Sequence, residues 1–219
     1  MAKVIIFGTS DFAQLANFYL ESDTEHEIVG FTVHSQYLNL PEYCGKPVFA
    51  FEDLVQKFSP DEYMLFAPMA PTKMNSLRQA VFEDGRNMGF HFISYISPRA
   101  IYYGTPIGEN CFIFEANVIQ PFTTIGDNVI LWSGNHFGHH SSIDSNSFLA
   151  SHVVISGHVE VGKNCFLGVN STVSNGIQIG DFSFVGAGAL IGRSTEPYAV
   201  YPGTKAEQSA IPSNKLRGA

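Results

Sequence analysis

Apolar residues recur at every sixth position through the second half of the chain. This segment is otherwise rich in glycine, asparagine and serine, so the regularity is unlikely to arise by chance. A period of six fits neither an α-helix, which repeats about every 3.6 residues, nor the alternation of an isolated strand. It predicts a β-solenoid with three short strands in each coil of about 18 residues. The series consists of Ile101, Ile107, Ile113, Ile119, Ile125, Leu131, Phe137, Ile143, Leu149, Ile155, Val161, Leu167, Val173, Ile179, Val185 and Ile191.

The repeat also predicts where the intervening residues point. Each sixth residue should face a narrow triangular interior, together with the small residue two places before it, such as Ser147 or Ser183. Glycine and asparagine near the corners should allow the backbone conformations that a sharp turn needs. Residues 101–192 suffice for about five coils.

A different pattern, of strands alternating with helices, covers the first part of the chain. Such an order predicts a parallel, Rossmann-like sheet, which binds ligands at the carboxyl ends of its strands. The pattern stops at Ser97-Pro98-Arg99, so we expect two domains, at 1–97 and 98–219. Strands are predicted at 3–7, 28–33, 47–51, 63–67 and 90–96, and helices at 12–21, 51–58 and 72–88.

Composition and charge exclude several classes of partner. The 219 residues are 45% hydrophobic and 15% charged, which suits a well-packed globular protein. The formal net charge of −8 argues against nucleic acid or an anionic membrane as the main partner. Three distant cysteines form neither a disulfide framework nor a metal motif. No apolar run approaches the roughly 18 residues of a membrane span, so we expect a cytoplasmic protein.

Three histidines fall close together in the stretch GNHFGHHSSID, residues 134–144. Because Phe137 should point inward, His139 and His140 should occupy outward-facing corner positions. His158 follows His140 by eighteen residues and should stack on it one coil later. His136 should lie on an outer strand face, and His152 on a different edge. From the pattern alone, a metal site, a catalytic base and ordinary solvated side chains all remain open.

The outer faces of the predicted prism carry several large apolar residues. Trp132, Val154, Phe166 and Phe184 are expected to be exposed there. Such surfaces favour packing into a homotrimer, in which the corner of one subunit meets the face of its neighbour. A histidine-rich corner at that junction would form half of a cleft.

A hexapeptide domain behind a small Rossmann-like domain resembles the bacterial sugar acyltransferases. These include nucleotide-sugar N-acetyltransferases of surface-polysaccharide biosynthesis and sialic-acid O-acetyltransferase-like proteins. Residues 156–191 resemble the acetyl-CoA-binding coils of that family, and VYPGTKA (200–206) resembles its closing PG-x-P-A segment, with Lys205 where proline is usual. The resemblance implies a left-handed parallel β-helix with acetyl-CoA as co-substrate, a nucleotide-linked amino sugar as acceptor, and no metal.

The same resemblance implies roles for individual residues. His139 has the phase of the catalytic histidine, which takes a proton from the acceptor as it attacks the thioester. The N–H of Gly157 would stabilise the developing oxyanion. Coenzyme A would run between two subunits, near Gly157, Val169 and Ala187.

One departure from the family concerns the residue after the histidine. The family usually has a carboxylate there, whereas this chain has His140, which is therefore a rival for the role of base. Asp144, Asp127 or Glu115 could substitute for the carboxylate, from another coil or another subunit.

The loop GTSDFA (8–13) stands where the family has a glycine-rich loop that holds the sugar nucleotide. Most of the glycine is missing, so a plain helix N-cap is the alternative interpretation. The acidic pair usual after the second strand is also replaced, by Val33 and His34. The residues expected to bind the substrate are Gly8, Ser10, Asp11, Phe12 and His34.

Other functions remain open at this stage. Sugar O-acetylation would use the same base. A γ-carbonic-anhydrase-like zinc enzyme shares the helix, but it pairs its ligands as H-x4-H, a spacing that no two histidines of this chain have. A non-catalytic trimeric scaffold is the third alternative.

Overall fold

The computed structural model of the chain describes residues 1–203 and 205–215. Its first part contains a five-stranded sheet with helices packed against it. The strands are β1 (Lys3–Phe7), β2 (Glu27–Val33), β3 (Glu42–Tyr43), β4 (Lys46–Ala50) and β5 (Tyr63–Phe66). The helices are α1 (Asp11–Asp23), α2 (Leu54–Lys57) and α3 (Ser76–Asn87), with short 3-10 turns at Ser35–Tyr37 and Phe51–Asp53.

The first sheet is parallel apart from one edge. Its strand order is β3-β4-β2-β1-β5, and only the β3–β4 pair is antiparallel within the described residues. Val4, Ile5 and Ile6 of the central strand are fully buried, because side chains cover both faces of the sheet. The predicted Rossmann-like class is confirmed.

The predicted last strand of this domain, residues 90–96, does not form as one element. Phe92 makes a single bridge to Leu65 at the sheet edge. Tyr95–Ile96 (β6) pairs instead with a strand of the second architecture, so the change of fold falls between Phe92 and Tyr95. The domain division at 1–97 and 98–219 stays a prediction, because α1 and the second architecture share one hydrophobic core.

The second part is a left-handed parallel β-helix built from two-residue strands, as expected. Phe137 pairs with Ile119 below and Ile155 above, which gives a coil of eighteen residues. The remaining strands are β7 (Ile101–Tyr102), β8 (Phe112–Ile113), β9 (Val118–Ile119), β10 (Thr124–Ile125), β11 (Ile130–Leu131), β12 (His136–Phe137), β13 (Ser142–Ile143), β14 (Phe148–Leu149), β15 (Val154–Ile155), β16 (Glu160–Val161), β17 (Phe166–Leu167), β18 (Thr172–Val173), β19 (Gln178–Ile179), β20 (Phe184–Val185), β21 (Leu190–Ile191) and β22 (Val200–Tyr201).

The β-helix has three flat faces. In the described residues they are a seven-stranded face from β6 to β22, a six-stranded face from β7 to β21, and a four-stranded face from β10 to β19. The second residue of each strand from β8 to β21 points inward; Ile113, Leu167 and Val185, for example, are fully buried. Burial of each such side chain contributes about 1.5–3 kcal/mol, so the column of inward residues is the main stabilising feature.

The corners adopt left-handed backbone conformations at a regular interval. The third residue after an inward position has a φ near +60°, as at Asn128 (59°), His140 (56°) and Asn146 (67°). Asparagine adopts this region more readily than most residues with a Cβ atom, which explains its frequency at the corners.

The first member of the apolar series does not follow the prediction. Ile101 is 51% exposed and pairs with Val118, whereas Tyr102 is the residue aligned with the inward Ile119. Ile107 then pairs with Ile125, so the chain is one residue shorter between Tyr102 and Ile107. A single-residue slip turns a strand residue to the opposite face.

The seven-stranded face packs against α1. The ring centroid of Phe12 lies 5.2 Å from that of Trp132, and Tyr19 lies 5.3 Å from Phe114. Trp132 and Phe166 are therefore half-buried against the core shared with the first domain, and the prediction that they form an exposed trimer surface is wrong. A helix from the same chain takes the place that the prediction gave to another subunit.

A second contact between the two parts is polar and buried. Side chains of Asn110, Asn128 and Asn146 form a ladder, with amide hydrogen bonds of 2.7 and 2.8 Å between neighbours. Arg78 of α3 is fully buried and donates to Asn128 Oδ1 and to the carbonyl oxygens of Met69, Asn128 and Asn146. Burial lowers the pKa of Arg78 to about 9, so the guanidinium stays charged at neutral pH.

No helix in the described part of the chain has both the length and the apolar character needed to cross a membrane.

Candidate active site

Three histidines lie together on the edge between the six-stranded and four-stranded faces. His139 and His140 follow β12, and His158 follows β15 one coil later. All three side chains are exposed, as the hexad phase predicted. The rings of His140 and His158 stack at 5.0 Å with 17° between their planes. The ring of Phe122, one coil earlier, lies 4.7 Å from that of His140 and continues the column.

The imidazole of His139 is held by its neighbours. Its Nδ1 lies 3.0 Å from Nδ1 of His140, and one of these two nitrogens donates to the other. Its backbone N–H donates to Oε1 of Gln120 at 2.9 Å. When His139 Nδ1 is the donor of this bond, its second ring nitrogen, Nε2, carries no hydrogen and can accept a proton from a bound molecule.

Gly157 lies one coil beyond His139, against the same ring. A Cβ atom on Gly157 would stand 2.7 Å from Cε1 and 2.9 Å from Nε2 of His139. Only glycine allows this approach without displacing the imidazole. The Gly157 N–H has no hydrogen-bond acceptor among the described residues. A basic nitrogen and a free amide donor thus stand beside each other.

The carboxylates suggested as partners of His139 lie elsewhere in the chain. Asp144 Oδ1 accepts from the Ser145 N–H, and Asp127 Oδ1 accepts from the Glu109 N–H. Among the described residues, no carboxylate hydrogen-bonds to His139. The position of the carboxylate is filled by the imidazole of His140.

Glu115 lies on another corner and has partners of its own. It accepts from the Tyr19 hydroxyl at 3.0 Å and from the Ser133 hydroxyl at 2.7 Å. Burial opposes its ionisation, but hydrogen bonds from Ser133, its own backbone and Tyr19 hold the pKa of Glu115 below its ordinary value. The carboxylate is therefore part of the contact between α1 and the β-helix.

The remaining histidines of the repeat lie apart from this edge. His136 is on the outer surface of the six-stranded face, between Val118 and Val154. His152 is at the corner between the seven-stranded and six-stranded faces, where its ring packs over Gly134. Both positions agree with the sequence-based expectation.

The residues expected to bind coenzyme A divide between two edges. Val169 and Ala187 lie one above the other at the corner that follows β17 and β20, and both are exposed. Gly157 lies at the corner that follows β15. The six-stranded face separates these two edges, so a single chain does not bring the three residues together.

The expected substrate loop in the first domain is only partly free. Gly8 has a φ of 105°, and its N–H donates to the Thr32 carbonyl oxygen. Ser10 is the N-cap residue of α1 but makes no side-chain capping bond, and Asp11 is exposed in the first turn. Phe12 turns toward the β-helix, where it packs on Trp132. Ser10 and Asp11 therefore remain available to a ligand. The ring of Phe12 packs on Trp132 instead of facing a ligand.

A cavity of about 400 Å³ opens beside the carboxyl ends of β1 and β2, lined by residues that include Phe7, His34, Tyr37 and Met69. His34 Nδ1 lies 2.8 Å from Oε1 of Glu52, and the Ser35 N–H donates to the other carboxylate oxygen. The sequence analysis missed Glu52, because it belongs to the 3-10 turn after β4 and not to the loop after β2.

The state of Glu52 follows from these contacts. Its small burial opposes ionisation, but hydrogen bonds from its own backbone, His34 and Ser35 lower the pKa of Glu52. An ionised carboxylate therefore lies behind His34 at the end of β2, where the family pattern would have its acidic pair.

A wider groove of about 940 Å³ runs along the four-stranded face, past the outward side chains Ser142, Glu160 and Gln178. None of the three edge histidines lines it. Volume alone therefore does not identify the candidate site, which is defined by the His139 imidazole and the Gly157 amide beside it.

Comparisons with known proteins agree with this architecture. The family model described as bacterial transferase hexapeptide (six repeats) matches residues 122–157, and that described as hexapeptide repeat of succinyl-transferase matches residues 158–193. No protein of curated function matches the chain.

Several solved structures share the fold over nearly the whole chain. PerB from Caulobacter crescentus, crystallised with CoA and GDP-perosamine, is 24% identical, with a TM-score of 0.79 over 91% of this chain and 93% of that chain. A perosamine N-acetyltransferase from the same organism, with one histidine replaced by asparagine, is 23% identical with the same score and coverage. The acetyltransferase domain of PglB from Neisseria gonorrhoeae is 18% identical, with a TM-score of 0.75 over 89% of this chain and 93% of that chain.

The repeat and the fold define the chain as a hexapeptide-repeat protein. The fold of the chain, a Rossmann-like sheet followed by a left-handed β-helix, is similar to the folds of PerB and of the acetyltransferase domain of PglB. The resemblance predicted from the sequence is confirmed at the level of the fold.

Proposed function

We propose that the chain is an acetyl-CoA-dependent N-acetyltransferase that acts on a nucleotide-linked amino sugar. The observation that carries the proposal lies on an exposed edge: His139 Nε2 stands beside the Gly157 N–H, which has no acceptor in the described part of the chain. Similarity of fold to a perosamine N-acetyltransferase crystallised with CoA and GDP-perosamine supports the reaction class. The predicted cytoplasmic location and role in surface-polysaccharide biosynthesis belong to the same proposal.

The reaction is a direct transfer. The acceptor amine attacks the thioester carbonyl carbon while His139 Nε2 takes a proton from the amine. The Gly157 N–H donates to the carbonyl oxygen, on which negative charge develops. The C–S bond then breaks, and the proton leaves with the thiolate as CoA–SH. His140 holds His139 in position through the bond between their Nδ1 atoms.

The proposal requires a second subunit. Val169 and Ala187 lie on a different edge from Gly157, so one molecule of coenzyme A can touch all three only where two chains meet. A homotrimer that brings the edge after β17 of one chain to the edge after β15 of its neighbour meets this condition.

The nucleotide would bind in the first domain. The cavity of about 400 Å³ lies beside the end of β1. Ser10 and Asp11 come shortly after β1 in the chain. His34, backed by Glu52, offers a hydrogen-bonding group at its rim. The acceptor amine would then extend toward the histidine edge.

The proposal is tested by turnover of the purified protein with acetyl-CoA and a panel of UDP-, dTDP- and GDP-linked amino sugars. We expect CoA release with at least one of them, and a loss of about 10²–10⁴ in kcat for His139→Asn. His91→Asn, which removes an exposed imidazole beside Glu109 in the first part of the chain, is the control and should keep the wild-type rate.

Two results would contradict this reaction. Turnover only with hydroxy sugars of the same panel would favour sugar O-acetylation, which uses the same base. An absence of CoA release with every acceptor would favour a non-catalytic trimeric scaffold.

A further inference from the structure

The edge between the six-stranded and four-stranded faces carries three neighbouring imidazoles, and we call it the histidine edge. The proposed transfer reaction uses His139 and His140 but gives no role to His158. His139, His140 and His158 offer ligand nitrogens that all lie within 4.8 Å of one another. In the described part of the chain, this is the single group of three or more histidine, cysteine or acidic side chains with that property. No carboxylate hydrogen-bonds to His139 or His140 in the described residues, so the group is an all-imidazole one.

The backbone fixes this convergence. His140 and His158 occupy equivalent left-handed corner positions, with φ of 56° and 58°, in consecutive coils. The His158 N–H donates to the His139 carbonyl oxygen at 3.0 Å, which holds the two coils in register. The three Cβ atoms are therefore set by the β-helix, and only side-chain torsions remain to be adjusted.

The distances suit a small divalent transition metal. Zinc binds imidazole nitrogen at about 2.0–2.1 Å, so two nitrogens on one tetrahedral ion lie about 3.3 Å apart. The Nδ1 atoms of His139 and His140 are already 3.0 Å apart, and the wider separations within the group stay below 4.8 Å. Rotation of exposed imidazole side chains can bring their ligand nitrogens to the shorter distance without any change in the core. Neutral imidazole is also the commonest protein ligand for these ions.

We propose that His139, His140 and His158 form a three-imidazole site for one divalent ion of the zinc class, with an open coordination position for water. The ion would bind His139, which is the proposed base, and His140, which holds His139 in position. The consequence for activity rests on the proposed function: the bound ion takes up the His139 lone pair or breaks its bond to His140, and acyl transfer stops. The ion is thus an inhibitor of the enzyme and not its cofactor.

Zinc binding by the chelator-treated, full-length protein tests the site directly. The measurement is a titration with Zn²⁺ alone, in competition with a chromophoric chelator. The variants are His140→Asn and His158→Asn, since asparagine occupies the equivalent corner positions at Asn146 and Asn164 and preserves the backbone. The control is His91→Asn, which removes an exposed imidazole in the first part of the chain, outside the β-helix.

We expect one zinc ion per wild-type chain and an affinity that falls by about tenfold or more in both edge variants. His91→Asn should bind as the wild type does. The proposal is overturned if the wild-type protein binds no zinc, if His158→Asn binds as tightly as wild type, or if the control loses as much affinity as the edge variants.

Turnover separates this proposal from the proposed function. Zinc should abolish acyl transfer by the wild type. The rate of the His158→Asn variant with zinc should stay close to the rate of the same variant without metal. Zinc binding without loss of turnover overturns the inhibitory role and leaves the transferase intact. Zinc binding by a protein that releases no CoA in the metal-free state supports the metal site and overturns the transferase.

Discussion

A histidine acts as a base only if its free nitrogen faces the reacting group, and at the edge of this β-helix that condition depends on Gly157. The absence of a side chain there leaves room for the His139 ring and leaves an amide N–H beside it. His140 supplies the hydrogen bond that a carboxylate supplies in the family pattern, but without a fixed negative charge. The proposed chemistry therefore depends, at this scale, on one missing Cβ atom and one imidazole pair.

Gly157→Ala should lower turnover while leaving the fold intact. The new Cβ would stand 2.9 Å from His139 Nε2, so the exposed ring must swing away from its working position. A displacement near 1 Å costs about 10²-fold in rate. Gly192→Ala is the matched control, since no atom of residues 1–203 or 205–215 lies within 4 Å of a Cβ at that position. Measured kcat should fall only in the first variant; equal kcat values would refute the proposed closeness of base and amide.

Among the elements of the fold, the corner asparagines and α3 join the two architectures. Asn110, Asn128 and Asn146 satisfy one another along the β-helix, and Arg78 of α3 donates to that ladder from the other side. The buried guanidinium has carbonyl and amide oxygens as partners and no carboxylate among the described residues. Its hydrogen bonds, and not an ion pair, offset the cost of its burial.

Replacing Arg78 with methionine should destabilise the protein by about 2–4 kcal/mol, because several buried carbonyl oxygens lose their donor. Arg86→Met on the same helix is the control: its partner Glu109 and its own side chain are both partly exposed, so we expect a loss below about 1 kcal/mol. Denaturant unfolding measures both. An Arg78→Met protein as stable as the wild type would mean that removing the buried charge compensates fully for the lost bonds.

For the whole molecule, the distribution of apolar surface determines where another subunit can pack. α1 covers the seven-stranded face, and the four-stranded face is polar, with Glu160 and Gln178 pointing outward. The six-stranded face carries exposed apolar side chains instead: Ile101 at 51%, Val154 at 37% and Leu190 at 71%. Since this face lies between the edge of Gly157 and the edge of Val169, it is the face that a trimer would bury to complete the site.

The proposed trimer should depend on Val154. The wild-type protein should have a mass of about 72 kDa, three times the 24.0 kDa of one chain, by light scattering. Val154→Glu should lower that mass and the turnover together, because a carboxylate would be buried in the interface. Thr124→Glu introduces the same group on the four-stranded face and should leave the mass unchanged. The reverse pattern would assign the interface to the four-stranded face.

The sequence by itself determined the β-helix and the outward orientation of the histidines. A six-residue period fits a solenoid with three short strands in each coil, and once Phe137 is placed inward the direction of His139 and His140 follows from local chain geometry. The alternation of strands and helices likewise predicted the first sheet. These features could be predicted because neighbours along the chain decide them.

The tertiary structure decided what distant residues do together. Three contacts join residues that no sequence repeat relates to each other. α1 covers Trp132, Glu52 hydrogen-bonds to His34, and Arg78 is buried against the corner asparagines. The shortened first coil changed the orientation of Ile101 through a single missing residue. Such contacts depend on how the two architectures pack against each other, and a pattern of hydrophobic positions specifies the face of an element without specifying what covers it.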